Sequence, residues 1–265
     1  MISLLQVLKF HGKTGDTMAD KNYLHTAYAY SADGTDRFTT VYPNLNLLTG
    51  TSNKVVQSNN WNMQVADIKY DKSLGGTLCA SVLINNADHA SDLLRGSGYI
   101  VLRALDKSGN ILASANGNWI AYNANDLSWC SISIDDNTAN IQAFIYTDNM
   151  QQNTFYSCLK LETGSTSTPY MPSASEVTTA DWPKYVGTYV DTNPTSSTEP
   201  SKYEWDEMKY RVYLDGVPVG GSKLLSFDLE NLKAGTSYNV QVSQINGNIE
   251  SDKSESVAFK TTLTK

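Results

Sequence analysis

The chain has 265 residues, only 18% of them charged, with a formal net charge of -7 and a pI near 4.9. An acidic chain without clustered Lys and Arg cannot neutralise a phosphate backbone, which excludes nucleic acid as the main ligand. No apolar run approaches the ~20 residues of a membrane-spanning helix. The abundance of Tyr, Asn, Ser and Thr describes a polar, weakly charged surface suited to neutral partners, on a chain long enough for two modest domains or one large β domain.

In chain order, Met1–Phe10 is apolar but lacks a basic leading region and a small-residue cleavage site, so it does not read as a signal peptide. Met18 opens a segment of different character. The preceding Thr14-Gly-Asp-Thr17 can be encoded by a purine-rich AGGAG placed just before the Met18 codon, as a bacterial ribosome-binding site would be. Met18 is therefore expected to be the authentic start, within an N-terminal extension covering residues 1–41. Asp33-Gly34 reads as a turn. Asp33 and Asp36 lack the later acidic ligands of a calcium loop.

Residues 42–183 form the expected principal domain. Short period-two runs separated by Gly, Asn, Asp and Ser lie between Asn44 and Pro172, the pattern of an antiparallel β-sandwich. The apolar face carries Leu78, Ala80, Val82 and Ile84, then Ile100, Leu102 and Ala104, then Cys130, Ile132 and Ile134, then Ile141, Ala143 and Ile145. Because strand side chains alternate, these positions can share one core. The opposite face carries Tyr99 and Arg103, then Trp129, Ser131 and Ser133, then Gln142, Phe144 and Tyr146. If those strands are neighbours, flat rings mixed with hydrogen-bonding groups suit a polyhydroxylated ligand; the alternative is an ordinary half-exposed pleated surface.

The loops add aromatics. Trp61 sits in Ser58-Asn-Asn-Trp-Asn62, and Trp119 and Tyr122 in Asn116-Gly-Asn-Trp-Ile-Ala-Tyr-Asn123. A Trp flanked by Asn fits stacking on a sugar ring, with Asn118 and Asn123 able to donate and accept. The competing expectation is that each Trp plugs one end of the sandwich. His89 reads as a loop surface residue. Cys79, Cys130 and Cys158 lack any C-x-x-C pairing, so no zinc site is expected. They read as small buried thiols made in a reducing cytosol.

The opening Asn46-Leu-Leu-Thr-Gly50, the central Trp129 and the closing Leu159-Lys-Leu-Glu-Thr-Gly164 with Thr168-Pro-Tyr-Met-Pro172 resemble the jelly-roll carbohydrate-binding modules of the family 4, 9 and 22 type. The resemblance covers about half the chain. It implies a β-sandwich that binds glycan through aromatics on a concave face or at the loop rim. Such modules often carry an Asp before the Leu-x-Leu-Glu strand that helps hold calcium. Here the stretch is Phe155-Tyr-Ser-Cys158, so no metal is expected.

Tyr23–Leu48, Tyr185–Pro194 and Tyr203–Met208 resemble stretches of tail-associated structural proteins of phages of lactic-acid bacteria and related Gram-positive hosts. That resemblance implies a virion component near the host-facing end of a tail, made without a signal peptide. Its partners would be host cell-wall polysaccharide and other tail or baseplate proteins, with a homo-oligomer as a further expectation.

Residues 184–208 read as a linker, clearest in the Pro-, Ser- and Thr-rich Thr192–Ser201. In the last expected domain, residues 209–265, Asp215-Gly216 marks a hairpin turn. Leu232-Lys-Ala-Gly-Thr-Ser-Tyr-Asn-Val-Gln-Val242 resembles fibronectin type III modules. The resemblance implies that the Tyr238 hydroxyl is tied to upstream backbone. The module is too short for seven strands. Either residues before the linker supply the missing strands, or the domain packs on its neighbour to complete its sheets.

Catalysis is not expected. Adjacent Asp135 and Asp136 face opposite ways on a strand and cannot make the facing carboxylate pair, about 5 to 9 Å apart, of a glycosidase. Glu204, Asp206 and Glu207 read as a solvated surface, and no nucleophile elbow, zinc-protease or P-loop motif occurs. The reading is thus an all-β protein, a jelly-roll sandwich followed by a smaller fibronectin-like sandwich. It binds carbohydrate without a cofactor through Trp61, Trp119, Tyr122, Asn118, Trp129, Gln142, Tyr146 and Arg103. The alternative is a spacer or decoration of the tail with no glycan binding.

Overall fold

The structure, a computed structural model, describes residues 9–10, 22–89, 95–229 and 232–262. The expectations about a start at Met18 and about the His89 side chain lie outside what it describes. The chain divides into two compact units, residues 44–177 and residues 1–43 with 178–265.

Strands β1 (Lys9–Phe10) and β2 (Tyr23–Ala29) precede the first of these units. Within it run β3 (Val56–Gln57), β4 (Asn62–Lys69), β5 (Thr77–Asn85), β6 (Ser97–Leu105), β7 (Ile111–Asn116), β8 (Ile120–Ala121), β9 (Asn125–Ser133), β10 (Asn140–Asp148) and β11 (Phe155–Thr163). They form two antiparallel sheets, ordered β4-β10-β6-β7 with β8 beside β6, and β3-β11-β5-β9. The chain crosses repeatedly from one sheet to the other, so the apolar faces of both close on one core, as in a jelly roll. Leu78, Ala80, Val82, Ile84, Ile100, Leu102, Ala104, Ile141 and Ile145 are fully inaccessible there, with Cys130 and Ile132 almost so. At roughly 1.5–3 kcal/mol for each buried Leu, Ile or Val, this layer dominates the stability of the unit.

The second unit continues with β12 (Tyr185–Asp191), β13 (Glu204–Glu207), β14 (Tyr210–Leu214), β15 (Val217–Ser222), β16 (Ser226–Phe227), β17 (Ser237–Asn246), β18 (Ile249–Glu250) and β19 (Val257–Lys260). One sheet is ordered β13-β12-β2 and another β15-β14-β17-β18 with β19 beside β17, while β1 pairs in parallel with β16. The segment expected as an N-terminal extension thus supplies a strand. β2 pairs with β12 from Tyr23↔Asp191 to Ala29↔Tyr185.

The stretch expected as a linker is also built in. The His25 Nε2 faces Asn193 O at 2.8 Å and its Nδ1 faces Ser196 Oγ at 3.0 Å. The Tyr203 hydroxyl donates to Ser197 O at 2.7 Å, and the Trp205 indole N–H to Pro200 O at 2.9 Å. Pro, Ser and Thr read as a flexible tether only when the rings that anchor them are out of view. Asp215 and Gly216 both take positive φ, 48° and 84°, in the hairpin turn between β14 and β15. The Tyr238 hydroxyl accepts the Lys233 backbone N–H at 2.9 Å.

Candidate functional site

The outer face of the β4-β10-β6-β7 sheet is set by register. Tyr146 on β10 pairs with Tyr99 on β6 and with Asn62 on β4, while Gly98 pairs with Ile120 on β8. Trp61 immediately precedes β4 and Trp119 immediately precedes β8, so four rings fall in one row across the sheet. Their centroids are spaced 5.7 Å for Trp61–Tyr146, 5.6 Å for Tyr146–Tyr99 and 5.3 Å for Tyr99–Trp119. Trp61 stands perpendicular to Tyr146, whereas Trp119 lies nearly flat on Tyr99 at 19°. The two indoles at the ends are 60% and 61% exposed and Tyr99 between them is 8% exposed. Neither indole plugs the sandwich. Burial raises the pKa of the Tyr99 hydroxyl, with Asp148 adding to the shift, so it remains a neutral donor.

Arg103 lies further along the same face. Its Nη2 donates to the Tyr146 hydroxyl at 2.8 Å, and its guanidinium carbon sits 4.7 Å from the centre of the Phe144 ring. It fixes the Tyr146 ring in the middle of the row. Gln142 pairs across the strands with Arg103 on one side and Asp67 on the other.

Not all the expected residues converge. Trp129 belongs to β9, in the other sheet, opposite Ser81 of β5. It is exposed on that sheet's outer face. Alternation along the sequence assigned its side chain outward, but it could not say which of two sheets the strand joins. Asn118 is committed to backbone: its Nδ2 donates to Leu127 O at 2.8 Å and its Oδ1 accepts Trp129 N–H at 3.1 Å. That bond set carries the loop to the edge of β9 and so aims Trp119. Tyr122, half-buried after β8, is held by its backbone N–H on Gly96 O at 2.9 Å.

The sequence reading overlooked Asp67, Gln64 and Asn140. Asp67 Oδ1 accepts the Asn140 amide at 3.0 Å, and its Oδ2 accepts those of Gln142 at 2.9 Å and Gln64 at 3.2 Å. Gln64 and Asp67 would face opposite ways on a regular strand. Here Phe144 pairs with Gln64 and Ala143 with Ala66, leaving Val65 as the extra residue of a bulge that turns both polar side chains outward. The adjacent apolar pair Val65-Ala66, which interrupts the alternation, was the available signal.

The outer face of the β3-β11-β5-β9 sheet is closed instead over β11 and the facing part of β5. Lys160 and Glu162 on β11 are wholly buried, with Nζ 3.1 Å from Glu162 Oε2. Lys160 also donates to Thr168 Oγ1 at 2.7 Å and Pro169 O at 2.8 Å, while Thr168 N–H donates to Glu162 Oε1 at 2.9 Å. Asn46 meets the same strand, its Nδ2 on Leu159 O at 2.8 Å and its Oδ1 on Leu161 N–H at 2.9 Å. The opening and closing sequence motifs are therefore two halves of one structural clasp. In the second unit, a cleft of about 540 Å³ lies between the β2-β12 pair and the β14–β16 region, with Tyr28, Tyr42, Val219 and Phe227 among its lining.

Among the described residues no cluster of three His, Cys, Asp or Glu could hold a metal ion. A rigid β-sandwich with an open row of rings and hydrogen-bonding side chains defines a recognition or assembly module. Comparison with known proteins places it further. The family model described as Minor structural protein 5-like, C-terminal domain (BppU-like) matches residues 183–241. Among solved structures, the chain is similar to the tripod (BppUct-A-L) from the baseplate of bacteriophage Tuc2009. The identity is 48% over 94% of this chain and 100% of that chain, with a TM-score of 0.71. A likeness to the structure of infectious bursal disease virus Gx strain has 9% identity over 64% of this chain and 40% of that one. Its TM-score of 0.29 is too low to bear on the fold. No curated protein matches the chain.

The chain belongs to the family of the Tuc2009 baseplate tripod protein. It is a virion protein of the baseplate of a Gram-positive phage tail, with a structural or adsorption role alongside other baseplate proteins.

Proposed function

We propose that the protein is a non-catalytic lectin-like component that holds the phage to host cell-wall polysaccharide through the aromatic row. The observation that carries this reading is the pair of exposed indoles closing a contiguous row of four rings. A purely structural surface gains nothing from holding two indoles in water, whereas a sugar offers C–H faces to stack on them and hydroxyls to pair with the side chains alongside. Tyr146 and Tyr99 form the floor, Arg103 holds Tyr146 in place, and Gln142 supplies a polar contact. Trp129, on the other sheet, would serve a separate contact. Single-site affinity for such a flat platform is modest, and several copies presented together in a tripod comparable to that of the relative would multiply it.

Calorimetric titration of the full chain with purified cell-wall polysaccharide from Gram-positive hosts tests the reading. Saturable binding is expected, weakened about tenfold in Trp61→Ala and in Trp119→Ala, in line with the loss of one aromatic contact. No heat with any host polysaccharide, or wild-type affinity in both variants, would overturn it and leave the structural role alone.

A further inference from the structure

The polar end of the open face has a chemistry of its own. A carboxylate can only accept, so the three amides around Asp67 must turn their NH2 groups toward it. Asn140, Gln142 and Gln64 do so at 3.0, 2.9 and 3.2 Å. Their three carbonyl oxygens are thereby turned away from Asp67, and among the described residues none of them accepts a hydrogen bond from the protein. An isolated Gln or Asn can rotate its amide to match either a donor or an acceptor on a ligand. These three cannot do so without breaking a charge-assisted hydrogen bond. Beside the aromatic row the protein therefore presents three oriented carbonyl acceptors, each amide keeping one further N–H.

We infer that Asp67 is a positioning residue that sorts Gln64, Asn140 and Gln142 into an acceptor subsite for a hydrogen-bond-donating part of the glycan. The inference rests on the glycan reading and deepens it. The group that fits is a free hydroxyl or the N–H of an acylated amino sugar. An ether- or ester-capped position presents only acceptors and forfeits the hydrogen bonds to these carbonyls. The bulge at Val65 is what brings Gln64 and Asp67 to one face, and so it belongs to the subsite as much as the side chains do.

Two measurements on the full chain test this, with purified Gram-positive cell-wall polysaccharide as the probe. In Asp67→Asn, which keeps the shape but can turn its own NH2 toward the three amides, binding falls about tenfold while the melting temperature stays near that of the wild type. In the wild type, side-chain NMR shows the carbonyl carbons of Gln64, Asn140 and Gln142 shifting on ligand addition while their NH2 signals stay in place. Unchanged carbonyl carbons in a sample that binds, or wild-type affinity in a folded Asp67→Asn, would overturn the inference. Loss of binding in Trp119→Ala alongside either result would leave the glycan reading standing. Should Asp67→Asn fail to fold, the wild-type NMR decides alone. No binding by the wild type overturns both.

Discussion

On the outer face of one sheet of the sandwich, Lys160 and Glu162 are sealed from solvent beneath Thr168 and Pro169. On the outer face of the other, Trp61 and Trp119 are more than half exposed. Each face reverses the simple expectation that charges lie outside and large rings inside. The reversals have different causes. A buried ion pair is tolerated because both of its members are hydrogen-bonded to Thr168, and Lys160 also to Pro169, so it locks one conformation of the segment that closes the domain. Exposed indoles leave most of their apolar surface in water in the isolated protein, and so they point to something that covers them.

The closed face should be the more sensitive to substitution. Lys160→Met leaves Glu162 buried beside an apolar chain, and a loss of about 3–5 kcal/mol is expected in denaturant unfolding. Lys160→Met with Glu162→Leu should recover part of that loss, because no uncompensated charge then remains. Burial holds the Lys160 ammonium below the usual lysine range, against the attraction of Glu162. The folded state thus gives up this proton at lower pH than the unfolded chain does. Between that depressed value and the ordinary ~10.4, unfolding takes up a proton, so this group's contribution to stability rises with pH. The slope should vanish in Lys160→Met. A single variant as stable as the wild type would show that the clasp holds nothing.

The open face should respond in the opposite sense. Trp61→Ala and Trp119→Ala are expected to lower stability by no more than about 1.5 kcal/mol, the worth of one ring pair, while binding falls about tenfold. A larger loss of stability in Trp119→Ala would make its stack on Tyr99 part of the fold rather than part of a binding platform.

Much of the sandwich was legible because alternation is a local signal: the positions assigned to its core lie in one cluster, with Ile134 half-buried against it. What alternation cannot carry is which strands are neighbours. Trp129 has the right parity and the wrong sheet, so it was grouped with Gln142 and Tyr146 on chemistry alone. Asn118 was read as a ligand group because its composition suits a sugar, but its amide is taken by the β9 backbone through contacts 9 and 11 residues away. Thr192–Ser201 was read as a tether because His25, which holds it, lies some 170 residues earlier. The Asp67 cluster was missed for the same reason, since a bulge and a neighbouring strand bring it together. Both kinds of error come from long-range pairing, and local chemistry does not reveal it.

The smallest expected effect is also the finest probe of the closed face. Cys79 pairs across the strands with Glu162, and burial pushes its thiol up to about 12, with the Glu162 charge adding to the shift. Cys130, facing the core, is pushed up to about 11 for the same first reason. Only the thiolate attacks a disulfide reagent, so at pH 8 neither should be labelled in the folded protein, while the half-buried Cys158 reacts first. If the clasp covers this face as the distances imply, Lys160→Met should admit reagent to Cys79 under conditions where Cys130 stays protected. Equal labelling of both thiols in that variant would mean that the whole sandwich opens as one. The closed face would then be a consequence of the core rather than a separate lock on it.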